Sequence, residues 1–222
     1  MTHKVHPKAF RIRGMKDWSS RGFYEKDFAL RLKEDFKIRE FIKSKIGKFG
    51  LDEVEIERSP GKVSVIIFTA RPGLVIGRAG EGVERLKKEL RQKILKTKVY
   101  SKKNKSLKSD LKVEIREIKN IWSSAALVAQ LMVSQIKKRM PYRRVLKSTL
   151  SKIMGQKGVK GARVQVSGRL NGVSIARREW LQQGLLPRQT IRADIDYVKD
   201  TAFCSYGAVG IKVWIYKGER FD

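Results

Sequence analysis

The stretch from 69 to 84, TARPGLVIGRAGEGVE, constrains this chain more than any other. Two glycines three apart, Gly77 and Gly80, enclose Arg78 and Ala79. A β-rich apolar run stands before them and a charged helical pattern after. Glycine has no Cβ, so such a turn can pass close to a ligand's backbone and adopt conformations closed to other residues. A basic residue between the glycines and a helix N-terminus behind them would offer amide donors and positive charge together, an arrangement that suits phosphate. Gly-x-x-Gly alone is a weak signal. The order strand, loop, helix is what gives this one weight.

Lys and Arg number 51 against 22 Asp and Glu, a net charge of +29 on 222 residues. Repulsion on that scale opposes a compact state unless a polyanion offsets it, so nucleic acid is the first candidate partner. An anionic membrane surface is the second, yet no stretch approaches the roughly 18 consecutive apolar residues of a spanning helix. Residues 1–14 are basic throughout and lack the apolar centre of a signal peptide. Hydrophobic residues make up 41% of the chain, enough for real cores and too many for a disordered basic tail. The length fits one large or two small domains. One cysteine, Cys204, excludes an internal disulfide framework and agrees with a reducing compartment. His3 and His6 flank no acidic or cysteine partner, so neither a metal site nor histidine catalysis is expected.

Along the chain, residues 1–24 form a basic, aromatic arm with little periodicity. From 27 to 49, Phe28, Leu32, Phe36, Phe41, Ile42 and Ile46 recur at helical spacing, and Gly47 and Gly50 stop the pattern. Strands are predicted at 53–58 and 62–70, joined by a turn at 59–61. A short apolar helix (Leu74, Val75, Ile76) then meets the glycine loop. Val83, Leu86 and Leu90 share one face of the following helix, opposite Arg85, Lys87, Lys88 and Arg91. A third strand falls at 112–119. Between these last two elements, residues 93–109 hold seven lysines and no acid, including Lys102, Lys103 and Lys105. The order helix, strand, strand, helix, Gly-x-x-Gly, helix, strand is that of a type II KH fold, a module that clamps a short single strand of RNA.

The second half opens with an apolar helix at 123–140, ended by Pro141. Another helix at 142–154 turns Val145, Leu146, Leu150 and Ile153 inward and leaves Arg143, Arg144, Lys147 and Ser151 on its other face. Gly155 caps it. A second glycine series, Gly155, Gly158 and Gly161, runs from helix into strand and reads as cap and turn. Alternating runs at 164–167, 173–180, 190–197 and 209–216 predict a small, mainly antiparallel sheet. The whole is α+β. Its parts are an arm (1–24), a type II KH domain with a three-stranded sheet (25–120, with the Lys-rich insertion 93–109) and a second α+β domain with two helices on a sheet (121–222).

The stretches 4–7, 69–80, 166–170, 175–177, 192–197 and 213–218 together resemble bacterial small ribosomal subunit protein three. The resemblance covers nearly the whole chain. It implies a structural protein of the small subunit's head, cytoplasmic with the ribosome, bound to ribosomal RNA and neighbouring head proteins beside the channel that messenger RNA enters. In that family, basic residues at the start of the second domain's second helix line the channel mouth and assist unwinding of structured messages. Those positions match Arg143, Arg144 and Lys147. Gly77, Arg78, Ala79 and Gly80 match the RNA-binding loop, and Lys4, Arg11, Arg13, Lys102, Lys103, Lys105, Arg169 and Arg177 are candidate contacts to ribosomal RNA phosphates. Two departures stand out: the Lys-rich segment is longer than the family's, and Asn171-Gly172 replaces a pair of glycines at a hairpin turn.

A free-standing KH-type regulator or ribosome-assembly factor would fit the first half and leave the second unaccounted for. An enzyme fits neither half. There is no Gly-x-x-x-x-Gly-Lys-Ser/Thr phosphate loop, no cofactor motif and no sign of a small-molecule substrate. Asp194 and Asp196 alternate on a strand beside Arg192, the pattern of salt-bridged structural carboxylates rather than of a metal pair.

Overall fold

In this computed structural model the described residues are 5–11, 17–22, 28–59, 62–97 and 110–220. They divide into two compact units. One spans Asp17–Lys119; the other joins Met1–Lys16 to Asn120–Asp222. Residues 60 and 61 of the predicted turn at 59–61 and most of the Lys-rich insertion fall outside the described residues.

In the first unit, β1 (Ser20–Gly22), β2 (Leu51–Ser59), β3 (Lys62–Thr69) and β4 (Asp110–Glu117) form one sheet in that order. β2 and β3 are antiparallel, whereas β3 and β4 are parallel. A parallel pair needs a crossover. Helices α3 (Pro72–Ile76) and α4 (Glu81–Thr97), with the glycine loop between them, supply it. Helix α2 (Phe28–Ile46) buries Ile38, Phe41, Ile42 and Ile46 against Ile56, Val65 and Ile67, and the crossover adds Val75, Leu86 and Leu90.

Two features of this unit depart from the sequence reading. The arm contributes β1 as a fourth strand, pairing Ser20 with Ile56 and Gly22 with Arg58. The apolar residues of α2 are also not one stripe. Phe28, Leu32 and Phe36 are exposed while Ile38, Ile42 and Ile46 are buried; at 3.6 residues per turn Phe36 stands about 160° around the helix from Ile38. Among the core residues of α2 lies Asp35, only 2% exposed. Its carboxylate accepts from Arg58 Nε at 2.9 Å, while Arg58 Nη1 donates to Glu34 at 3.0 Å. A buried carboxylate requires such a partner.

In the second unit, β5 (Gly161–Gly168), β6 (Arg177–Gly184), β7 (Ala193–Cys204) and β8 (Gly207–Glu219) form an antiparallel sheet in the order β6-β5-β8-β7. Helices α5 (Ala125–Lys137) and α6 (Tyr142–Met154) cover one face. Val128, Met132, Ile136, Val145, Leu146 and Ile153 pack there on Val164, Val166, Ile211, Val213 and Ile215. The five-residue helix α1 (Pro7–Arg11) packs on β7. The second predicted strand, at 173–180, begins only at Arg177, since residues 169–173 are held in a loop by Arg169. Asn171 (φ 55°) and Gly172 (φ 83°) turn inside that loop rather than join the two strands directly. Gly155 caps α6 in a right-handed conformation, and the left-handed residue of that series is Gly158 (φ 92°).

Candidate nucleic-acid interface

The loop is a run of left-handed backbone: Gly77 (φ 71°), Ala79 (φ 50°) and Gly80 (φ 81°). Gly77 N–H closes α3 by donating to Gly73 O at 3.0 Å, and Arg78 and Ala79 stand exposed at the tip. Gly82, which the sequence reading passed over, sets how tightly the loop can fold back. A Cβ there would lie 2.5 Å from Val75 O and 2.8 Å from Ile76 O, so the first turn of α4 rests on the carbonyls of α3 with no room for a side chain. The signal was available as a third glycine five residues after the first. Glu81 and Glu84 occupy the first turn of α4 and complement its N-terminal partial charge. The loop's positive charge therefore comes from Arg78, with the backbone amides as donors.

Helix α6 divides as its periodicity requires: Val145, Leu146, Leu150 and Ile153 are buried, and Arg143, Arg144 and Lys147 are exposed. Arg143 is the one of the three with an acidic neighbour among the described residues, Glu179 at 3.6 Å. Glu179 also accepts from the Tyr142 hydroxyl at 2.7 Å. That hydrogen bond first, then Arg143 and Arg177, hold the Glu179 carboxyl below its ordinary value against the opposing effect of burial. The chain adds three more exposed cations just before the helix, Lys137, Lys138 and Arg139. The signal for them in the sequence is the Lys-Lys-Arg run ahead of Pro141.

Other candidates separate sharply. Arg11 is 4% exposed, and its guanidinium donates to Thr190 O at 3.1 Å, Pro7 O at 3.1 Å, Arg188 O at 3.0 Å and Pro187 O at 3.4 Å. Burial and four carbonyl acceptors remove it from the surface a phosphate could reach, which corrects the expectation of a phosphate contact. Arg169 is exposed but committed, donating to Val173 O at 3.1 Å, Tyr206 O at 3.0 Å and Gly172 O at 3.4 Å. Arg177 is exposed at the start of β6. Lys4, Arg13, Lys102, Lys103 and Lys105 lie outside the described residues. Asp194 and Asp196 each meet a cation of their own, Arg220 at 3.2 Å and Lys8 at 2.6 Å. Asp196 also accepts from the Ala125 amide at 2.8 Å, and Ser124 Oγ accepts from Leu127 N at 3.3 Å, so two acceptors cap α5.

Two family models match parts of the chain. Residues 37–123 match the model of the KH domain, and residues 132–215 match that of ribosomal protein S3, C-terminal domain. The chain is similar to small ribosomal subunit protein uS3 of Caldicellulosiruptor saccharolyticus, with 46% identity over 220 residues, 99% of this chain and 93% of that one. It is also similar to the uS3 of Lawsonia intracellularis (43% identity over 223 residues, covering 100% and 98%) and of Desulfosudis oleivorans (42% over 219, covering 99% and 96%).

Proposed function

This chain belongs to the family of small ribosomal subunit protein uS3, and from that premise we propose that its second domain lines the mouth of the messenger RNA channel. As a member of that family it is a structural constituent of the small ribosomal subunit that binds ribosomal RNA, and it is not an enzyme. The match to the S3 C-terminal domain accounts for the half of the chain that a free-standing KH regulator would leave unexplained.

In our reading the KH unit and the subunit's head proteins fix the chain on ribosomal RNA. Helix α6 then presents Arg143, Arg144 and Lys147 to the phosphates of the incoming message. One observation carries this: Arg144 and Lys147 stand exposed on a helix whose packing face is complete without them, and among the described residues neither has a carboxylate partner. Cations so placed stabilise a single strand electrostatically without reading its sequence. With no nucleotide-hydrolysing motif, any help with unwinding is passive. The strand is held after something else has moved it.

The test replaces all three residues with Ala, which keeps helix propensity high. Subunit incorporation stays near normal, translation through a stable hairpin slows, and translation of an unstructured message does not. The log–log salt slope of RNA binding falls by about 0.7 for each phosphate contact removed. Equal slowing on both templates would point to an assembly defect and sink the reading.

A further inference from the structure

The face of the second sheet opposite the helices has no role in the function proposed above. Its outward positions interleave aromatic rings with cations. Arg163 lies between two indoles, 4.2 Å from the Trp180 ring centroid and 5.5 Å from that of Trp214. Trp214 continues the stack to Tyr197, with centroids 5.1 Å apart, and Tyr197 meets the edge of His6 at 4.8 Å. Among the described residues, the buried Nε of Arg163 has no hydrogen-bond partner, so the rings rather than an acceptor hold the guanidinium. Trp180, at the outer end of this row, is 50% exposed.

The charges on this face point the same way. Register places Arg178, Arg163, Lys212 and Lys199 outward, with Glu219 near Tyr216 at the end of β8, while Glu179, Asp196 and Asp200 alternate to the helix side. None of the four outward cations forms an ion pair with a carboxylate among the described residues. Lys199 and Lys212 are direct cross-strand partners. Like charges directly opposite each other weaken a sheet. A polyanion lying across the face removes that cost.

We propose that this outward face is a stacking surface for single-stranded RNA, with the Trp180 indole receiving an unpaired base and Arg178, Lys199 and Lys212 meeting the phosphates on either side. Aromatic side chains carry bases in this way on other RNA-binding sheets. A protein partner fits less well, because lysine is depleted at the centre of protein interfaces. Arg163 is a positioning residue. Held between the rings, it fixes the Trp180 indole so that the base meets a preset plane.

The experiment uses the full chain carrying Arg78→Asp and Ala79→Asp, so that the KH loop no longer binds the probe. The probes are a short oligoadenylate and an abasic oligomer of the same length, compared by fluorescence anisotropy at fixed salt. Trp180→Leu weakens oligoadenylate binding about tenfold and leaves binding of the abasic oligomer unchanged. Trp180→Phe keeps most of the affinity but loses the quenching of tryptophan emission by bound RNA, and it remains informative if the Leu variant folds poorly. Three results would overturn the proposal: unchanged oligoadenylate affinity in a folded Trp180→Leu, an equal loss for both oligomers, or impaired incorporation into small subunits with RNA affinity intact. The last would mark a protein-docking face.

Discussion

Helices α1 and α6 both place basic residues on the second unit, and the two sets end in opposite situations. Arg11 on α1 is buried, its guanidinium shared among carbonyl oxygens of residues 7, 187, 188 and 190. Arg144 and Lys147 on α6 stand in solvent, because that helix completes its packing with Val145, Leu146, Leu150 and Ile153. Residue type and local charge do not distinguish them. What differs is whether the backbone nearby has carbonyls without donors. Where it does, arginine's fork of donors satisfies the fold; where it does not, the charge is left for a ligand.

That contrast predicts a graded series. The largest effect on stability belongs to Arg11→Met, which keeps an apolar stem and deletes every donor. Carbonyls of the 187–190 segment lose their partner, and thermal and urea unfolding should report a loss of about 3 kcal/mol, with RNA affinity nearly unchanged. Wild-type stability combined with weakened RNA binding would put Arg11 back among the phosphate contacts and break the comparison.

An intermediate effect comes from acid. Burial alone would raise the Asp196 carboxyl, but the charge and hydrogen bond of Lys8, the Ala125 amide and Lys217 together hold it below its ordinary value. A carboxyl depressed in the folded state stabilises the fold fully above its unfolded value, near about 4, and that stability is lost as pH falls through the lower native value. Urea unfolding below about pH 4 should weaken by up to about 1.4 kcal/mol per pH unit from this group. Asp196→Asn should flatten that part of the profile. An unchanged acid limb in the variant would show that Asp196 does not tie α1 and α5 to β7.

The smallest effect on stability belongs to the loop. Changing Arg78 and Ala79 both to Asp places negative charge at two exposed positions, where surface substitutions cost within about 0.5 kcal/mol. RNA contact by the KH unit should weaken strongly in a filter-binding assay while unfolding barely moves. Loss of folding instead would make the loop structural, as Arg11 is.

These contrasts also mark how far sequence reasoning reached. Helix α6 was legible residue by residue, because its apolar spacing is regular and Pro141 fixes its start. The glycine loop was legible from Gly77 and Gly80 and from the elements on either side. β1 was not: Ser20, Arg21 and Gly22 carry no alternation, and the strand exists because the edge of β2 offers partners at Ile56, Glu57 and Arg58. The fate of Arg11 was equally hidden, since three of its four acceptors lie 176 to 179 positions away. Arg169 looked free for the same reason, its Tyr206 acceptor arriving from 37 residues downstream. Arg143, by contrast, was placed correctly on the open face, but only the fold brings Glu179 and the Tyr142 hydroxyl to its side.

The discontinuous make-up of the second unit has a consequence in time. Asp17–Lys119 is an uninterrupted segment, so all of its partners have been synthesised once the chain passes Lys119. Met1–Lys16 belongs instead with Asn120–Asp222, and three of the four acceptors of Arg11 and the carboxylate that meets Lys8 are made near the end of the chain. At about 5–20 residues per second, α1 waits on the order of ten to forty seconds for its docking site while the KH unit can already be complete. A basic segment exposed for that interval beside a folded RNA-binding unit is open to nascent-chain chaperones or to RNA itself. The first of the described helices to be made is therefore held by residues made near the end of the chain.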